Sequence, residues 1–325
     1  MDAITIVGAG GIGCALGYAL AANGARVRFV EANDDKVAWG RRHGVRVDHG
    51  PPLPAEFIPF AAWRPDASDQ LVLLCVKCYD NAEVLARLPA RVPFLPVQNG
   101  FDACLDRPNR AGEGIASFVS ECEPGRTHTH ITRRGKLHIQ AVASCQSVVQ
   151  SLRAARLFRL APVPDILPYK YAKLMYNAAI SPIAAAAGVD NGRLLAHPLL
   201  RRLFFALLRE NHAILRHAHV PLGTVGPFHP DTVAVILRNR WLAHSLAWAF
   251  YSSLRKTYCS MSGDLPRGQT EIDYYNRHLI DLAGAYPCPL NRWVYELVKR
   301  MERERLSPGL QWMEMWRDET CSIGI

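Results

Sequence analysis

The chain has 325 residues, which is enough for two domains that each bury a core of their own. Its composition, 49% apolar and 21% charged, is ordinary for a globular protein. The net charge of +9 favours anionic ligands such as a nucleotide or a carboxylate. No basic run with interleaved aromatic residues occurs, and we therefore expect no nucleic-acid partner.

The N-terminal stretch contains a strand, a glycine-rich turn, a helix and a second strand, in that order. Ala3–Val7 is a short apolar run, Gly8–Gly13 reads GAGGIG, and a small-residue helical pattern continues to Ala22. Val27–Val30 is the second apolar run, and Glu31 follows it, 23 residues after Gly8. This order is the dinucleotide-binding pattern of an α/β fold.

The glycines of the turn have separate physical roles in such a loop. Gly8 allows a sharp turn, Gly10 leaves room for a pyrophosphate, and Gly13 lets the helix pack close to the sheet. The helix N-terminus, with Gly11 and Ile12, offers free N–H groups and a positive dipole end to the phosphates. We predict that these five residues bind a dinucleotide cofactor.

Residues 3–25 carry no charge and could also span a bilayer. No basic flank precedes them and no small-residue cleavage site follows, so we expect a cytoplasmic protein with no membrane partner.

The nine cysteines lie in apolar runs and are expected to be free thiols. Cys75 and Cys78 form a CxxC motif, with Cys75 expected in the core and Cys78 in a loop.

Two histidine pairs resemble metal-ligand motifs. His217 and His219 lie two residues apart on a predicted helix and therefore point to different faces. His128 and His130 could share one face of a strand, but no carboxylate or cysteine cluster accompanies them along the sequence. We expect no metal ligands.

Strands and helices alternate up to about residue 100, which predicts a parallel, doubly wound sheet of the Rossmann type. In such a sheet, ligands bind at the carboxyl ends of the strands. Gly8–Gly13, Glu31, Lys77 and Asn99 each stand at the end of a predicted strand. We therefore expect these positions to converge on one crevice.

Beyond about residue 100 the pattern of the sequence changes. Gly114–Glu121 and Lys136–Gln140 are predicted to form a hairpin-like pair of strands, and from about Pro164 the pattern becomes helical. The predicted helices are Tyr169–Ala187, His197–His219, Pro230–Lys256, Thr270–Ala285 and Asn291–Glu304. We predict a dinucleotide-binding Rossmann domain over residues 1–165 and an all-α substrate and catalytic domain over residues 166–325.

The helix predicted over Tyr169–Ala187 is apolar except for one line of polar residues. Lys173, Asn177 and Ser181 have i, i+4, i+8 spacing and share one face. A solvent-facing stripe would explain a lysine alone, since an unpaired lysine is costly to bury. The asparagine and serine that continue the line favour a ligand-binding cleft.

A second polar cluster begins at Ser260 and continues through the sequence TEIDYYN. Thr270 and Asp273 have the spacing of a capping box, which would place Glu271 in the first turn of a helix. A purely structural role at that helix end would also explain Glu271 and Asp273, and the spacing does not exclude it.

Six short motifs along the chain match those of a known family, and they occur in the same order as in that family. They are GAGGIG at 8–13, VKCYDN at 76–81, VQNGFD at 97–102, KLMYNAAISP at 173–182, TEIDYYN at 270–276 and PLNRWVYELVK at 289–299. In these motifs the chain resembles the ketopantoate reductase (2-dehydropantoate 2-reductase) family over nearly its whole length.

The resemblance implies roles for individual residues. Lys173 matches the family's catalytic lysine, which protonates the carbonyl oxygen as hydride reaches the carbonyl carbon; such a group relieves the charge of the developing alkoxide. Glu271 matches the acid that orders the cofactor and the lysine. Lys77 matches a lysine that lines the cofactor site, and Asn99 matches an asparagine near the nicotinamide and the substrate.

The same resemblance implies substrate-binding roles for Asn177 and Ser260, and for Ser181 at a position where the family usually has a second asparagine. The shorter hydroxyl of Ser181 changes the pocket that the family pattern would give. The stretch between Met261 and Glu271 is also one residue shorter than usual. These departures bear on which 2-oxo acid the chain accepts.

At the end of the second strand the sequence departs from the family pattern, and this departure bears on the choice between NAD and NADP. The family usually has an arginine there that binds the 2′-phosphate of NADP, whereas this chain has Ala32 preceded by Glu31. An acid at this point repels a phosphate and accepts a hydrogen bond from a free 2′-hydroxyl. NAD(H) is therefore favoured, while the resemblance alone implies NADP(H).

The resemblance implies an NAD(P)H-dependent reductase of a 2-oxo acid, with ketopantoate to pantoate as the first candidate reaction. A homodimer is a further expectation, although the sequence does not give the oligomeric state. One alternative is a related reductase that acts on another 2-oxo acid or an imine. The other is a non-catalytic dinucleotide-binding sensor, against which Lys173, Asn177 and Glu271 together argue.

Overall fold

The computed structural model describes residues 3–65 and 69–315, and the chain divides into two compact units, 1–166 and 167–325. The strands of the first unit are β1 (Ala3–Val7), β2 (Val27–Glu31), β3 (Arg46–Val47), β4 (Glu56–Pro59), β5 (Asp69–Leu74), β6 (Phe94–Pro96), β7 (Gly112–Ala116), β8 (Val119–Cys122), β9 (His128–Arg133), β10 (Lys136–Ala141) and β11 (Arg159–Pro162). Its helices are α1 (Gly11–Ala21), α2 (Asp34–His43), α3 (Asn81–Arg87) and α4 (Gln146–Ala154).

The main sheet is parallel, with the strand order β4-β2-β1-β5-β6. The chain leaves β1 toward β2 on one side and returns to β5 on the other, so the strand order reverses at β1. Val7 is in register with Val30 of β2 and Leu74 of β5, so these three strands end level with one another. This confirms the predicted doubly wound sheet, whose ligand crevice forms where the order reverses.

Both faces of the main sheet are covered, which explains why its strands are apolar runs rather than alternating ones. On one face, Ile6 of β1 packs in a cluster with Leu16 and Leu20 of α1. On the other face, Val7 packs in a cluster with Val84 and Leu85 of α3. The central strand is therefore fixed from two sides directly below the glycine turn.

The predicted pairing of Gly114–Glu121 with Lys136–Gln140 is correct only for its first part. β10 pairs antiparallel with β7, but β8 leaves that sheet and pairs antiparallel with β9. Two three-stranded sheets result, β11-β10-β7 and β3-β9-β8. Apolar runs indicated where the strands lie. Which strands pair with each other depends on how the connecting segments pack.

The second unit is helical, as predicted. Its helices are α5 (Leu167–Ala187), α6 (Asn191–Ala196), α7 (Pro198–His217), α8 (Pro230–Arg238), α9 (Arg240–Leu254), α10 (Ser260–Asp264), α11 (His278–Ala283) and α12 (Pro289–Glu304). Within the described residues, no helix has both the length and the apolar character needed to cross a bilayer.

Two of the predicted helices are interrupted. The prediction over Pro230–Lys256 was wrong as a single helix, because Asn239 accepts hydrogen bonds from the N–H groups of Trp241 and Leu242 and so begins a new one. The single helix predicted over Thr270–Ala285 was also wrong. This segment instead contains a π-helical turn, Asp273–Arg277, which leads into α11.

The eight cysteines within residues 3–65 and 69–315 are all free thiols. The predicted burial of the CxxC pair is reversed: Cys78 is buried, and Cys75 is partly exposed at the end of β5. Burial nevertheless raises the pKa of Cys75 to about 12, so its thiol stays protonated at neutral pH. This chemistry does not suit a redox or metal-binding CxxC.

Candidate active site

The glycine turn lies directly on the carboxyl end of β1. Gly8 has a φ of +98°, and a Cβ on it would lie 2.9 Å from the carbonyl carbon of Cys75. A Cβ on Gly13 would lie 1.9 Å from the carbonyl oxygen of Gly8. A Cβ on Gly10 would meet no atom within 4 Å. Gly8 and Gly13 are therefore required by the packing of the chain itself, whereas Gly10 faces open space.

Helix α1 begins at this open space without a side-chain cap. Its N-cap is Gly10, no acidic residue lies in the first turn, and no described side chain accepts a hydrogen bond there as a cap. The Gly10 carbonyl accepts from the N–H of Cys14 at 2.8 Å, which closes the first helical turn. Helix N-termini that bind phosphate groups have the same features, namely free N–H groups in the first turn and a positive helix end.

Both carboxylate oxygens of Glu31 accept backbone hydrogen bonds, one of them from the glycine turn. Oε2 accepts from the N–H of Ala9 at 2.8 Å, and Oε1 accepts from the N–H of Asn33 at 2.9 Å. Lys36, which the sequence did not indicate, donates from Nζ to the carbonyl oxygen of Ala9 at 3.0 Å. Lys36 lies in the first turn of α2, and Asn33 caps that helix, with Oδ1 accepting from the Lys36 N–H at 3.0 Å.

The loops that carry Lys77 and Asn99 are joined by a pair of amide side chains. Asn81 donates to Gln98 Oε1 at 3.0 Å, and Gln98 donates to Asn81 Oδ1 at 2.6 Å. Gln98 also donates to the carbonyl oxygen of Val76 at 2.8 Å. Both amides are buried, so the exchange satisfies groups that would be costly to leave unpaired and fixes the two loops together.

This amide pair was missed at the sequence level, although a signal was present. Asn81 and Gln98 lie within the VKCYDN and VQNGFD motifs, a few residues beyond two strands that run to the same edge of the sheet. Lys77 and Asn99 themselves are partly buried, each just beyond a strand end. The first unit therefore brings Gly8–Gly13 and Glu31 to the same sheet edge as Lys77 and Asn99.

In the second unit, Lys173, Asn177 and Ser181 lie on α5 as one line. Lys173 and Asn177 are partly buried, and Ser181 is buried. The carbonyl oxygen of Ser181 accepts from Cys259 Sγ at 3.4 Å. Ser260, the next residue, is exposed and begins α10, so the predicted serine is held beside the end of the polar line.

Glu271 is buried, and its Oε2 accepts from the phenol of Tyr275 at 3.2 Å. The predicted capping box between Thr270 and Asp273 was wrong. Glu302 of α12 takes the reciprocal role, because its Oε1 accepts from both the N–H and the hydroxyl of Thr270 at 2.7 Å. The N–H of Thr270 therefore has its acceptor in Glu302, and Glu271 does not serve as that acceptor.

Asp273 points away from Thr270. Its Oδ1 accepts from the phenol of Tyr295 at 2.8 Å, and its Oδ2 accepts from Lys299 Nζ at 3.0 Å. Both partners lie on α12, so this acid joins the π-helical turn to that helix. The spacing rule failed here because a distant helix supplied better partners than the local backbone.

A buried amide network supports the middle of α5, where Pro182 interrupts the hydrogen-bond ladder. Pro182 has no N–H to donate to the carbonyl oxygen of Ala178, four residues earlier. Asn276 Nδ2 donates to that carbonyl at 2.8 Å and to Asn291 Oδ1 at 2.9 Å. Asn211 Nδ2 donates to the carbonyl oxygen of Met175, one turn earlier, at 2.9 Å. The π-helical turn thus places Asn276 where α5 lacks a donor.

Comparison with known proteins agrees with this arrangement. Residues 4–153 match the family model described as ketopantoate reductase PanE/ApbA, and residues 165–302 match the model of its C-terminal part. The chain is an oxidoreductase that acts on a CH–OH group with a nicotinamide dinucleotide. It belongs to the ketopantoate reductase family, which confirms the resemblance found in its motifs.

A 2-dehydropantoate 2-reductase of Aquifex aeolicus is 26% identical over 269 residues, 76% of this chain and 79% of that protein. A PanE/ApbA family ketopantoate reductase from Ralstonia eutropha has a TM-score of 0.75 at 22% identity, covering 93% of this chain and 98% of that one. D-mandelate dehydrogenase, solved with NADH and anilino(oxo)acetate, has a TM-score of 0.73 at 17% identity, with coverage of 93% and 98%. At these identities the two solved structures establish the fold.

Proposed function

We propose that the chain reduces a 2-oxo acid with a reduced nicotinamide dinucleotide, and that ketopantoate is its first candidate substrate. The observation that carries this proposal is the polar line on α5, where the partly buried Lys173 is followed on the same face by Asn177 and Ser181, in a member of the ketopantoate reductase family. A bound nicotinamide supplies the hydride for the carbonyl carbon. Lys173 donates a proton to the carbonyl oxygen, so no free alkoxide accumulates.

The other site residues bind and orient the reactants in this proposal. The open face of Gly10 and the uncapped start of α1 accept the pyrophosphate, with Lys77 and Asn99 beside the same sheet edge. Asn177, Ser181 and Ser260 hold the polar groups of the 2-oxo acid. Glu271 orients Lys173 and a hydroxyl of the cofactor; its buried carboxylate, with one oxygen held by Tyr275, suits a fixed acceptor.

Replacement of the lysine tests the catalytic role. Lys173→Ala is expected to lower turnover by about 100-fold or more, because general acid catalysis contributes on that scale. Dinucleotide binding, measured by fluorescence titration, is expected to change little. Lys136→Ala, at an exposed lysine on β10, is the matched control and should keep full activity. Wild-type turnover by Lys173→Ala would contradict the assignment.

A screen of 2-oxo acids with NADH and with NADPH, followed by the loss of reduced-cofactor absorbance, identifies the substrate. The panel includes ketopantoate, branched aliphatic and aromatic 2-oxo acids and cyclic imines, because Ser181 replaces a longer amide and opens the pocket to other shapes. Tight dinucleotide binding with no turnover of any member would favour the sensor.

We further propose that NADH is preferred over NADPH. Glu31 keeps a carboxylate at the end of β2, fixed on the glycine turn, and the exposed residue that follows is Ala32 rather than a cation. Glu31→Ala combined with Ala32→Arg is expected to raise the ratio of NADPH to NADH efficiency by about tenfold or more, since a charge-assisted phosphate contact replaces a repulsion. A wild-type enzyme that already prefers NADPH would contradict this proposal.

The homodimer stays a prediction. Trp241 and Trp248, 85% and 82% exposed, share one face of α9 and offer an apolar surface to a second copy of the chain. Light scattering on the purified chain measures its mass directly, and a monomer at all concentrations would rule the dimer out.

A further inference from the structure

A second cluster of chemically active side chains lies on the hairpin of β8 and β9. The pairing of these strands continues past β8, since the N–H of Glu123 donates to the carbonyl oxygen of His128 at 2.9 Å. Thr129 is buried on one face of β9, and His128 and His130 lie on the other. The expectation that no carboxylate accompanies these histidines was wrong, because the turn brings Glu123 beside them.

Three donor atoms converge on this face. Glu123 Oε1 lies 2.8 Å from His128 Nδ1 and 3.1 Å from His130 Nε2, and the centroids of the two imidazole rings are 4.4 Å apart. The second carboxylate oxygen, Oε2, accepts from Arg126 Nη1 at 2.8 Å. Arg126 therefore holds the carboxylate so that a single oxygen faces both rings.

Each ring nitrogen of His128 faces an oxygen that can only accept a hydrogen bond. Its Nε2 lies 2.9 Å from the carbonyl oxygen of Asp48, and since a carbonyl only accepts, Nε2 must carry the proton. Nδ1, the other ring nitrogen, lies 2.8 Å from the Glu123 carboxylate, which also only accepts. Two acceptors at this distance require a cation, either a second proton or a metal ion. A ring N–H given to a backbone carbonyl is the usual support of a metal-binding histidine.

We propose that Glu123, His128 and His130 bind one divalent first-row transition-metal ion, for which Zn²⁺ is the reference. Two imidazole nitrogens and a carboxylate oxygen form a common donor set for such ions. The donor separations of 2.8 and 3.1 Å approach the edge of about 3.3 Å that a tetrahedron with the usual zinc bond lengths requires. The His130 and Glu123 side chains are 41% and 27% exposed, so an ion can enter from solvent and keep a water ligand.

The position of the hairpin gives this ion a structural role. Its strand β8 supports the glycine turn, since a Cβ on Gly11 would lie 2.2 Å from the carbonyl oxygen of Ser120. Asp48, whose carbonyl holds His128, also accepts from the N–H of Ile131 on β9 at 2.9 Å. An ion at the three side chains would therefore join the turn after β8 to β9 and stabilise the strand behind the glycines.

The test uses the full chain without an affinity tag, stripped of metal by a chelator and titrated with Co²⁺ and then Zn²⁺. We expect one equivalent of Co²⁺ with visible ligand-field bands but no thiolate charge-transfer band, displaced by one equivalent of Zn²⁺. His130→Gln is expected to weaken binding by about 100-fold or more, since a ligand matters at least as much as its supporting residues. His217→Gln, in the helical histidine pair, is the matched control and should bind as the wild type does.

Glu123→Gln provides a second variant, because it keeps the size of the side chain and removes its charge. It is also expected to lose the site, while circular dichroism and the melting temperature of the metal-free protein check that the variant is folded. Absence of a stoichiometric Co²⁺ complex would show that a proton, not a metal ion, lies between His128 and Glu123. Equal affinity in wild type and His130→Gln, or a thiolate band, would assign the ion to another site and overturn the proposal.

Discussion

At the scale of single residues, the glycines of the turn meet two different requirements, close packing of the chain and space for a ligand. The sequence pattern does not distinguish them. Gly13 is needed because the carbonyl of Gly8 occupies the space of a Cβ, whereas Gly10 is surrounded by open space in the folded chain. The packing of the chain therefore requires Gly13, whereas at Gly10 it leaves a space that a ligand can fill. Substitution by alanine can distinguish the two.

Gly10→Ala is expected to change the free energy of unfolding by less than about 1 kcal/mol, a cost that reflects the poor N-cap propensity of alanine. Its methyl group fills the space proposed for the pyrophosphate, so dinucleotide affinity should fall by about tenfold or more. Gly13→Ala is expected to destabilise the fold by about 1–3 kcal/mol, because the loop must move. Thermal unfolding and calorimetric titration measure the two quantities.

Gly226→Ala is the control for this pair, since a Cβ there also meets nothing within 4 Å and lies in an exposed loop of the second unit. It should leave both stability and dinucleotide affinity unchanged. If Gly10→Ala binds the dinucleotide as tightly as the wild type, the pyrophosphate does not lie over this residue.

The sequence predicted the residues of the glycine turn because their spacing along one strand–turn–helix unit is local. It also placed Glu31, Lys77 and Asn99 correctly at strand ends, which the parallel register brings to one edge. Lys36 and the amide pair were missed for a physical reason. Their partners are set by how separate loops pack, and no local periodicity encodes a contact between residues 17 positions apart, as for Asn81 and Gln98.

At the scale of elements, α5 depends on a donor supplied by another segment. Pro182 leaves the Ala178 carbonyl without its usual helical donor, and Asn276 replaces that donor from the π-helical turn. The sequence showed a proline inside a helical pattern and an asparagine in the TEIDYYN motif, but not that one compensates for the other. The extra residue of a π turn, which shifts the side-chain register, has no signature in apolar spacing.

A double-mutant cycle tests this compensation. Asn276→Ala is expected to cost about 1–3 kcal/mol in the free energy of unfolding, because a buried carbonyl loses its donor. In a Pro182→Ala background, the restored N–H can bond to Ala178, and the cost of Asn276→Ala should shrink by about 1 kcal/mol or more. Urea denaturation of the four proteins gives the coupling energy.

Asn109→Ala is the control for that cycle, because its amide donates to the Val92 carbonyl in the first unit rather than within the amide network of α5. Its cost should be the same in both backgrounds. Additive costs for Asn276→Ala and Pro182→Ala would mean that Asn276 acts through Asn291 rather than through the interrupted helix.

At the scale of the whole molecule, global stability is expected to depend on pH through a buried histidine outside the candidate active site. His138 lies on β10 and is only 2% exposed. Burial, with the nearby charge of Lys136 as a smaller cause, lowers the pKa of His138 to about 4. In the unfolded chain its pKa is about 6.5, so between these values the unfolded chain binds a proton that the folded chain does not.

The stability associated with neutral His138 is therefore fully present above about pH 6.5 and is lost as the pH falls toward 4. Between about pH 7.5 and pH 5 this amounts to about 2 kcal/mol for one such group. His138→Gln, which cannot titrate, is expected to lose about 2 kcal/mol less stability over that interval than the wild type, as measured by urea denaturation at both pH values. His49→Gln, at an exposed histidine, should follow the wild-type pH dependence. An unchanged pH dependence in His138→Gln would show that the imidazole is protonated inside the folded unit, and that other groups cause the acid sensitivity.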